Sequence, residues 1–187
     1  MGHLIQFEES AIAQLRERLG AAEEAKQDLL AFARGHSGAV QSIHAAVLAA
    51  MDAPGLDPLL NVVTRDWRAI LGLDCVSLAM IVDDRGFCCS AGRVLEVDTA
   101  FLSPVIAMVD GVTMRTVDHG HPLFGREAHM IRAEALVRLD AGPQAPIGLL
   151  LLGQSAVTHL DSRHGSELLL FLGRSLAAII RGWLTRP

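Results

Sequence analysis

The chain has 187 residues and a formal net charge of −5, and it is 51% hydrophobic and 20% charged. This length allows one domain with an appendage, and the hydrophobic fraction excludes an intrinsically disordered chain. The net negative charge, without a basic stripe, gives no reason to expect a nucleic acid as a partner.

The sequence predicts neither a membrane span nor an export signal. The apolar run at Ile147–Gly153 is far shorter than the ~20 residues that cross a bilayer. The N-terminus has neither the basic start nor the long apolar core of a secretory signal. Three cysteines, an odd count, do not suit a secreted disulfide framework. We therefore expect a cytoplasmic protein with no membrane partner.

The first 38 residues are predicted to form a helical arm. The segment from about Ile5 to Arg34 is rich in good helix formers. A 3-4 repeat runs through it at Ile5, Glu8, Ile12, Leu15, Leu19, Ala22, Lys26, Leu29 and Ala33. Such a narrow seam is typical of a coiled coil that pairs two subunits, and an amphipathic helix lying on its own domain is the alternative. Gly35 and Gly38 are expected to break or bend this helix.

Two further helices precede the predicted sheet. The first covers residues 39–51, and its apolar stripe comprises Ile43, Val47, Leu48 and Met51. The second has Asp57 as its N-cap and Pro58 at its first helical position, and it ends at Gly72. Its inward face is predicted to contain Leu59, Leu60, Val63, Trp67, Ile70 and Leu71.

From Asp74 onward the hydrophobic pattern becomes that of a sheet. Residues 75–82 and 87–90 predict one β-hairpin, and residues 133–139 and 146–154 predict a second. The apolar run in 146–154 predicts a strand that is covered on both faces. Between the hairpins we expect a short helix over 99–109, a strand over 112–117 and a turn-rich stretch over 118–122.

The last helix, which runs to Leu184, carries two apolar faces. One face must cover a core and contains Leu169, Leu172, Leu176, Ile179, Ile180 and Trp183. A second stripe of smaller residues, for which a monomer has little use, contains Leu168, Phe171, Ser175, Ala178 and Gly182. We infer a homodimer through the N- and C-terminal helices. Its predicted interface residues are Leu15, Leu19, Leu29, Phe171, Ala178 and Gly182.

The predicted order of elements gives an α+β fold. The helix that ends in Leu71-Gly72-Leu73-Asp74, the strands at Cys75–Leu78 and Ile147–Gly153, and the closing helix resemble a GAF domain, a small-molecule sensor fold related to PAS domains. With Leu4–Glu8, Leu29–Arg34 and His44 included, the chain resembles the bacterial family called domain of unknown function 484. The resemblance implies a GAF/PAS-like antiparallel sheet flanked by helices over residues 39–187, and it supplies no catalytic residues.

The resemblance also implies that residues 92–132 lie over a ligand pocket. We take as its candidate residues Cys88, Arg115, Asp118, His119 and His121. An arginine at such a place can hold an anionic ligand by a bidentate pair, and Arg93 and Arg132 also fall in or beside this segment. Exposed arginine is the alternative reading. The Asn-Lys pattern of cyclic-nucleotide-binding GAF domains is missing, so a cyclic nucleotide is not expected.

An enzyme remains the alternative function. His119 and His121, beside Asp118, could meet one metal ion, although a solvated turn explains this stretch better. Further metal ligands would have to come from Cys88, Cys89, His129 or Asp98. Cys88 and Cys89 could be redox-active, but neighbouring residues of a strand point to opposite faces and do not pair easily. Buried packing cysteines are the alternative.

We therefore expect a non-catalytic domain without a metal or cofactor. It would sense a small molecule or act as a scaffold, and it would signal through its dimer helices to a protein partner. A small enzyme of the thiol-reductase or metal-dependent type, using Cys88, Cys89, His119 and His121, is the other hypothesis. Phosphate-loop, dinucleotide, hydrolase and metalloprotease motifs do not occur in the sequence.

Overall fold

The computed structural model describes residues 37–140, 142, 146–156 and 162–184, together with positions 20, 23 and 26. The chain separates into two compact units, Met1–Gln41 and Ser42–Pro187. In the first unit the described positions 20, 23 and 26 are helical. The predicted interface residues Leu15, Leu19 and Leu29 lie outside the described residues, as does Gly35. Gly38 is helical, so the predicted break does not occur at that residue.

An antiparallel sheet, six-stranded in the described part of the chain, forms the centre of the second unit. Its strand order is β3-β2-β1-β6-β5-β4. The strands are β1 (Cys75–Val82), β2 (Arg85–Ser90), β3 (Arg93–Val97), β4 (Val112–Thr116), β5 (Ala133–Asp140) and β6 (Ile147–Gln154). The hairpins β1–β2 and β5–β6 were both predicted, and the α+β class is confirmed.

Helices flank this sheet. They are α1 (37–51), α2 (Leu56–Asn61), α3 (Trp67–Leu71), α4 (Thr99–Ala107) and α5 (Ser162–Leu184). A π-helical turn (Val62–Asp66) joins α2 to α3, and a 3₁₀ segment (Pro122–Met130) precedes β5. None of the described helices combines the length and the apolar character that a bilayer span requires.

The sheet is covered on both faces. On one face, which we call the helix face, Val76, Leu78 and Leu150 pack with the buried residues of α1, α2, α3 and α5. On the other, which we call the 3₁₀ face, Leu149 and Leu151 pack with α4 and the 3₁₀ segment. Because β6 lies at the centre of the sheet, its residues 148–153 are buried throughout, which confirms the prediction of a strand covered on both sides.

The buried face of α1 agrees with the prediction at Ile43 and Val47, which pack in the core, and differs from it at Leu48 and Met51. Ala46 and Ala50 are fully buried, whereas Leu48 and Met51 are 60% and 62% exposed. Trp67 explains the difference, because its buried indole Nε1 donates a hydrogen bond to the carbonyl oxygen of Ala46 at 2.9 Å. A row of small side chains lets the backbone of α1 come this close to the ring. Leu48 and Met51 therefore face outward, while Ile43 is buried and Val47 packs against the same core.

Helix α2 begins earlier than predicted. Its N-cap is Gly55 rather than Asp57, and Pro58 is the third helical residue rather than the first. Proline is tolerated there because the first four N–H groups of a helix have no partner within the helix. The predicted inward face is confirmed at its centre, since Leu59, Val63 and Trp67 are fully buried.

Two elements between residues 92 and 132 were not predicted. The expected helix and strand occur as α4 and β4, but β3 and the 3₁₀ segment are additional. Four of the five residues of β3 are exposed, so this edge strand shows no buried alternation in the sequence. The 3₁₀ segment contains Gly125 with φ of 63° and ψ of −129°, a conformation that favours glycine and interrupts any helical periodicity.

Helix α5 shows the predicted core face and part of the predicted second stripe, of which Leu168 packs against the core instead. Leu172, Leu176 and Ile180 are at most 2% exposed, and Leu169, Ile179 and Trp183 are partly buried against the same core. Gly173 brings the helix close to β5, because a Cβ atom there would lie 2.5 Å from Cγ1 of Val137. The second stripe points outward at Phe171, Ala178 and Gly182, all of which are exposed.

Candidate functional site

A buried carboxylate, that of Glu134, connects several residues of the predicted pocket. Glu134 lies on β5 opposite Arg115 of β4, and its side chain has no solvent exposure. Nε and Nη2 of Arg115 both donate to its Oε1 atom, at 2.8 and 2.7 Å. Its Oε2 atom accepts from the backbone N–H of His121 at 2.7 Å. This cross-strand ion pair therefore also fixes the start of the 3₁₀ segment on the 3₁₀ face.

His121 extends this network towards Cys88. Its Nδ1 atom accepts from the backbone N–H of Leu123 at 3.2 Å and so caps the 3₁₀ segment. The carbonyl oxygen of Leu123 in turn accepts from the thiol of Cys88 at 3.4 Å. Burial lowers the pKa of His121, and nearby Arg115 lowers it further, while Glu134 acts in the opposite direction. The net lowering favours the neutral imidazole, which is the form that can accept at Nδ1.

The other predicted residues lie at the margin of this network. Asp118 and His119 are exposed. Nη1 of Arg132 donates to the carbonyl oxygens of Asp118, His129 and Ile131 at 2.8 to 3.0 Å, so this arginine holds the loop in place. The structure thus brings Arg115 and His121 together at Glu134, a residue that sequence reasoning missed, and Cys88 joins them only through the backbone of Leu123. Their role in ligand binding stays a prediction.

A metal site has no support in the described part of the chain. Among those residues there is no group of three or more His, Cys, Asp or Glu side chains that could hold a metal ion. His119 is exposed, while Nδ1 of His121 already accepts a hydrogen bond from the backbone N–H of Leu123. The two imidazoles therefore take different structural roles, although only one residue separates them.

The three cysteines are buried and free. Cys88 packs on the 3₁₀ face and Cys89 on the helix face, which confirms that these neighbours point apart. The thiol of Cys75 donates to Oε2 of Glu127 at 3.0 Å. Burial raises the pKa of Cys88 to about 11. Burial, together with Glu127, raises the pKa of Cys75 to about 12, and burial also raises the pKa of Cys89.

Slow thiol reactivity follows from these raised pKa values. A pKa of about 11 instead of 9.0 lowers the thiolate fraction of Cys88 about 100-fold near pH 8. We expect Cys88 of the native protein to react with a disulfide reagent at least that much more slowly than Cys88 of the protein unfolded in guanidinium chloride, with the modified residue identified by peptide mapping. The pKa of Cys88 is higher in the folded protein than in the unfolded one. The contribution of this thiol to stability is therefore complete below pH 9.0 and is lost as the pH rises towards 11. Native Cys88 that reacts as fast as Cys88 of the unfolded protein would contradict this expectation.

A second candidate site is an apolar cavity on the helix face of β1, β2 and β3. Its volume is about 350 Å³, within the ~300–1,000 Å³ range of small-molecule pockets. The lining residues are Leu56, Asp57, Leu60, Leu78, Met80, Val82, Phe87, Cys89, Val94 and Leu184. Sequence reasoning missed this cavity, because its wall joins α2, three strands and the end of α5, which only the sheet order brings together.

The cavity lies at the end of the sheet that α5 and the π-helical turn do not cover. Helix α5 packs on β4 and β5, and the π-helical turn packs on β1. Strands β2 and β3 extend beyond these contacts, so Val94 on β3 is 51% exposed at the mouth of the cavity. Leu184, the last residue of α5, closes one side.

Comparison with known proteins gives one family and a fold. A family model described as "Protein of unknown function, DUF484" matches residues 1–185. No curated protein matches the chain. The GAF domain from a phosphoenolpyruvate-protein phosphotransferase of Coxiella burnetii is 16% identical with a TM-score of 0.58, over 78% of this chain and 94% of that chain.

Two further solved structures share this fold. The GAF domain from an Acinetobacter phosphoenolpyruvate-protein phosphotransferase is 11% identical with a TM-score of 0.51, over 74% of this chain and 90% of that chain. The chromophore-binding domain of a Stigmatella aurantiaca bacteriophytochrome is 15% identical with a TM-score of 0.51, over 74% of this chain and 58% of that chain. At these identities the likeness concerns the fold alone, and it confirms the predicted GAF-like architecture.

Proposed function

The chain belongs to the DUF484 family and has the fold of GAF domains, and on this basis we propose that it is a non-catalytic, ligand-responsive regulatory domain. It acts as a homodimer through α1 and α5, and a protein partner reads the arrangement of these helices. A structural neighbour that is the chromophore-binding domain of a bacteriophytochrome supports a role in sensing a small molecule.

The observation that carries this proposal is an exposed apolar surface on α1 and α5. We call it the outer helix face and define it as His44, Leu48, Met51, Phe171, Ala178 and Gly182. Leu48, Met51 and Phe171 are 60%, 62% and 47% exposed. The rings of His44 and Phe171 meet edge to face with their centroids 6.4 Å apart, so α1 and α5 contact each other at this surface.

A second copy of the chain is the partner that this surface suits best. Ala178 and Gly182 are small enough for a helix to approach closely. Glu167, Arg174 and Arg181 border the stripe of α5, so an apolar strip has a charged rim of both signs. An isologous dimer needs a patch that is complementary to itself, and a flat strip with such a rim meets that need.

Sedimentation equilibrium tests the dimer directly. We expect the wild-type chain to be a dimer at micromolar concentration, because burying three large apolar side chains on each copy removes substantial apolar area from water. A chain that remains monomeric throughout the micromolar range would overturn the proposed assembly.

Native mass spectrometry of protein purified from its host tests whether the protein binds a small molecule. If it does, we expect a reproducible added mass on the dimer. A consistently empty dimer favours a scaffold instead.

The enzyme hypothesis has weaker support. A thiol-reductase mechanism needs a thiolate, but burial raises the pKa of all three cysteine thiols. Cys88 and Cys89 also lie on opposite faces of the sheet and cannot act on one substrate.

A further inference from the structure

We propose that the apolar cavity on the helix face binds a small amphiphile that has an apolar body and a cationic head, with the head at Asp57. The site lies on the face of the sheet opposite to Arg115, His121 and Glu134. The binding itself follows from the cavity alone. Its regulatory consequence rests on the proposed function, because the end of α5 forms part of the cavity wall.

The walls of the cavity select the apolar body. Nine of its ten lining residues are apolar or cysteine, and they come from both the helices and the strands that enclose the space. Leu78 and Cys89 at its floor are at most 3% exposed, so a bound chain is removed from water there. The burial of apolar ligand surface in such a pocket supplies the affinity.

The charge at the rim selects the head. Asp57 is the one charged residue of the lining, and it is exposed where the cavity meets solvent. A basic group lies beside this lining, because the guanidinium carbon of Arg85 is 5.4 Å from the ring centroid of Phe87. Glu96 accepts two hydrogen bonds from Arg85, at 3.1 and 3.0 Å, and balances its charge. A cation is therefore favoured at this rim, and an anion is repelled by Asp57.

A ligand in the cavity acts on the outer helix face through α5. Leu184 is the last described residue of α5 and contacts the cavity, while Phe171, Ala178 and Gly182 of the same helix face outward. A ligand that presses on Leu184 changes the position of the helix end without unfolding any element. This places ligand binding and the proposed dimer contact on one rigid element.

Calorimetric titration with decylamine, 1-decanol and decanoate, each below micelle formation, tests the proposal. The three probes share one chain length and differ in the charge of the head. We expect decylamine to bind about fivefold more tightly than 1-decanol, and decanoate to bind most weakly. Asp57→Asn should equalise decylamine and 1-decanol while it leaves the binding of 1-decanol unchanged. Decanoate binding as tightly as decylamine would overturn the choice of a cationic head.

A matched pair of variants on β3 locates the site. Val94→Trp fills the mouth of the cavity, whereas Leu95→Trp places the same side chain on the opposite face, since Leu95 pairs with Cys88 and Val94 with Cys89. Both residues are more than half exposed, so neither change disturbs a buried core. We expect Val94→Trp to weaken decylamine binding at least tenfold and Leu95→Trp to leave it intact.

Equal binding to both variants would overturn the proposal, because the amphiphile would then bind elsewhere. It would also be overturned if no probe binds the wild type while Val94→Trp turns a dimer into a monomer, since a second copy would then fill the cavity. Sedimentation of the same samples separates the two proposals. A monomer that binds decylamine with the expected preference refutes the dimer and leaves the cavity site in place.

Discussion

Replacement of Glu134 by glutamine is expected to lower the free energy of unfolding by about 2–4 kcal/mol. Both oxygens of the native carboxylate accept hydrogen bonds, one from Arg115 and the other from the backbone N–H of His121. A glutamine has the same shape but only one acceptor oxygen, so its NH₂ group must face one of these donors. Because the Glu134 side chain is fully buried, water cannot replace the lost hydrogen bond.

A second Arg–Glu pair in the same sheet provides the control. Glu96 of β3 pairs with Arg85 of β2 at 3.0 Å, but both side chains are 62% exposed. Exposed ion pairs contribute little to stability, so Glu96→Gln should leave the urea midpoint unchanged. The two variants remove the same charge from an Arg–Glu pair, but only Glu134 is buried and also binds the backbone N–H of His121. Equal urea midpoints for Glu134→Gln and the wild type would show that the buried pair does not anchor the 3₁₀ segment.

The importance of Glu134 could not be derived from the local sequence. The strand that contains it was predicted, and Arg115 was singled out as a candidate. Their pairing depends on the register of β4 against β5, which places Arg115 opposite Glu134. That register is a property of two strands separated by the 3₁₀ segment, and the hydrophobic pattern of either strand does not encode it.

Elements with strong local signals were predicted well. The β1–β2 and β5–β6 hairpins have apolar runs on both sides of a turn, and the buried face of α5 follows a helical period. The edge strand β3 was missed because four of its five residues are exposed. The buried face of α1 was right at Ile43 and Val47 but wrong at Leu48 and Met51, because Trp67 packs against alanines of this helix, which is a tertiary effect. The cavity was missed for a similar reason, since its wall combines distant segments.

Replacement of Phe171 by glutamate is expected to raise the dissociation constant of the proposed dimer at least about 100-fold, or ~2.7 kcal/mol. Phe171 is a large aromatic residue on the outer helix face, and it is 47% exposed in the isolated chain. In an isologous dimer each copy would bury one glutamate against an apolar strip. The cost combines the desolvation of two carboxylates with the loss of two aromatic contacts.

Met108→Glu is the matched control for this change. Met108 follows α4 and is 84% exposed, so the substitution adds the same charge to an exposed apolar position that is not part of the outer helix face. Sedimentation equilibrium should give a monomer for Phe171→Glu and the wild-type dimer for Met108→Glu, and circular dichroism should show that both variants are folded. The urea midpoint of Phe171→Glu should fall, because a monomer lacks the stability that association adds. If Phe171→Glu remains a dimer, the two copies meet through another surface and the apolar face of α1 and α5 must serve a different partner. If both variants dissociate, added charge rather than position is responsible, and the geometry of the outer helix face no longer explains the assembly.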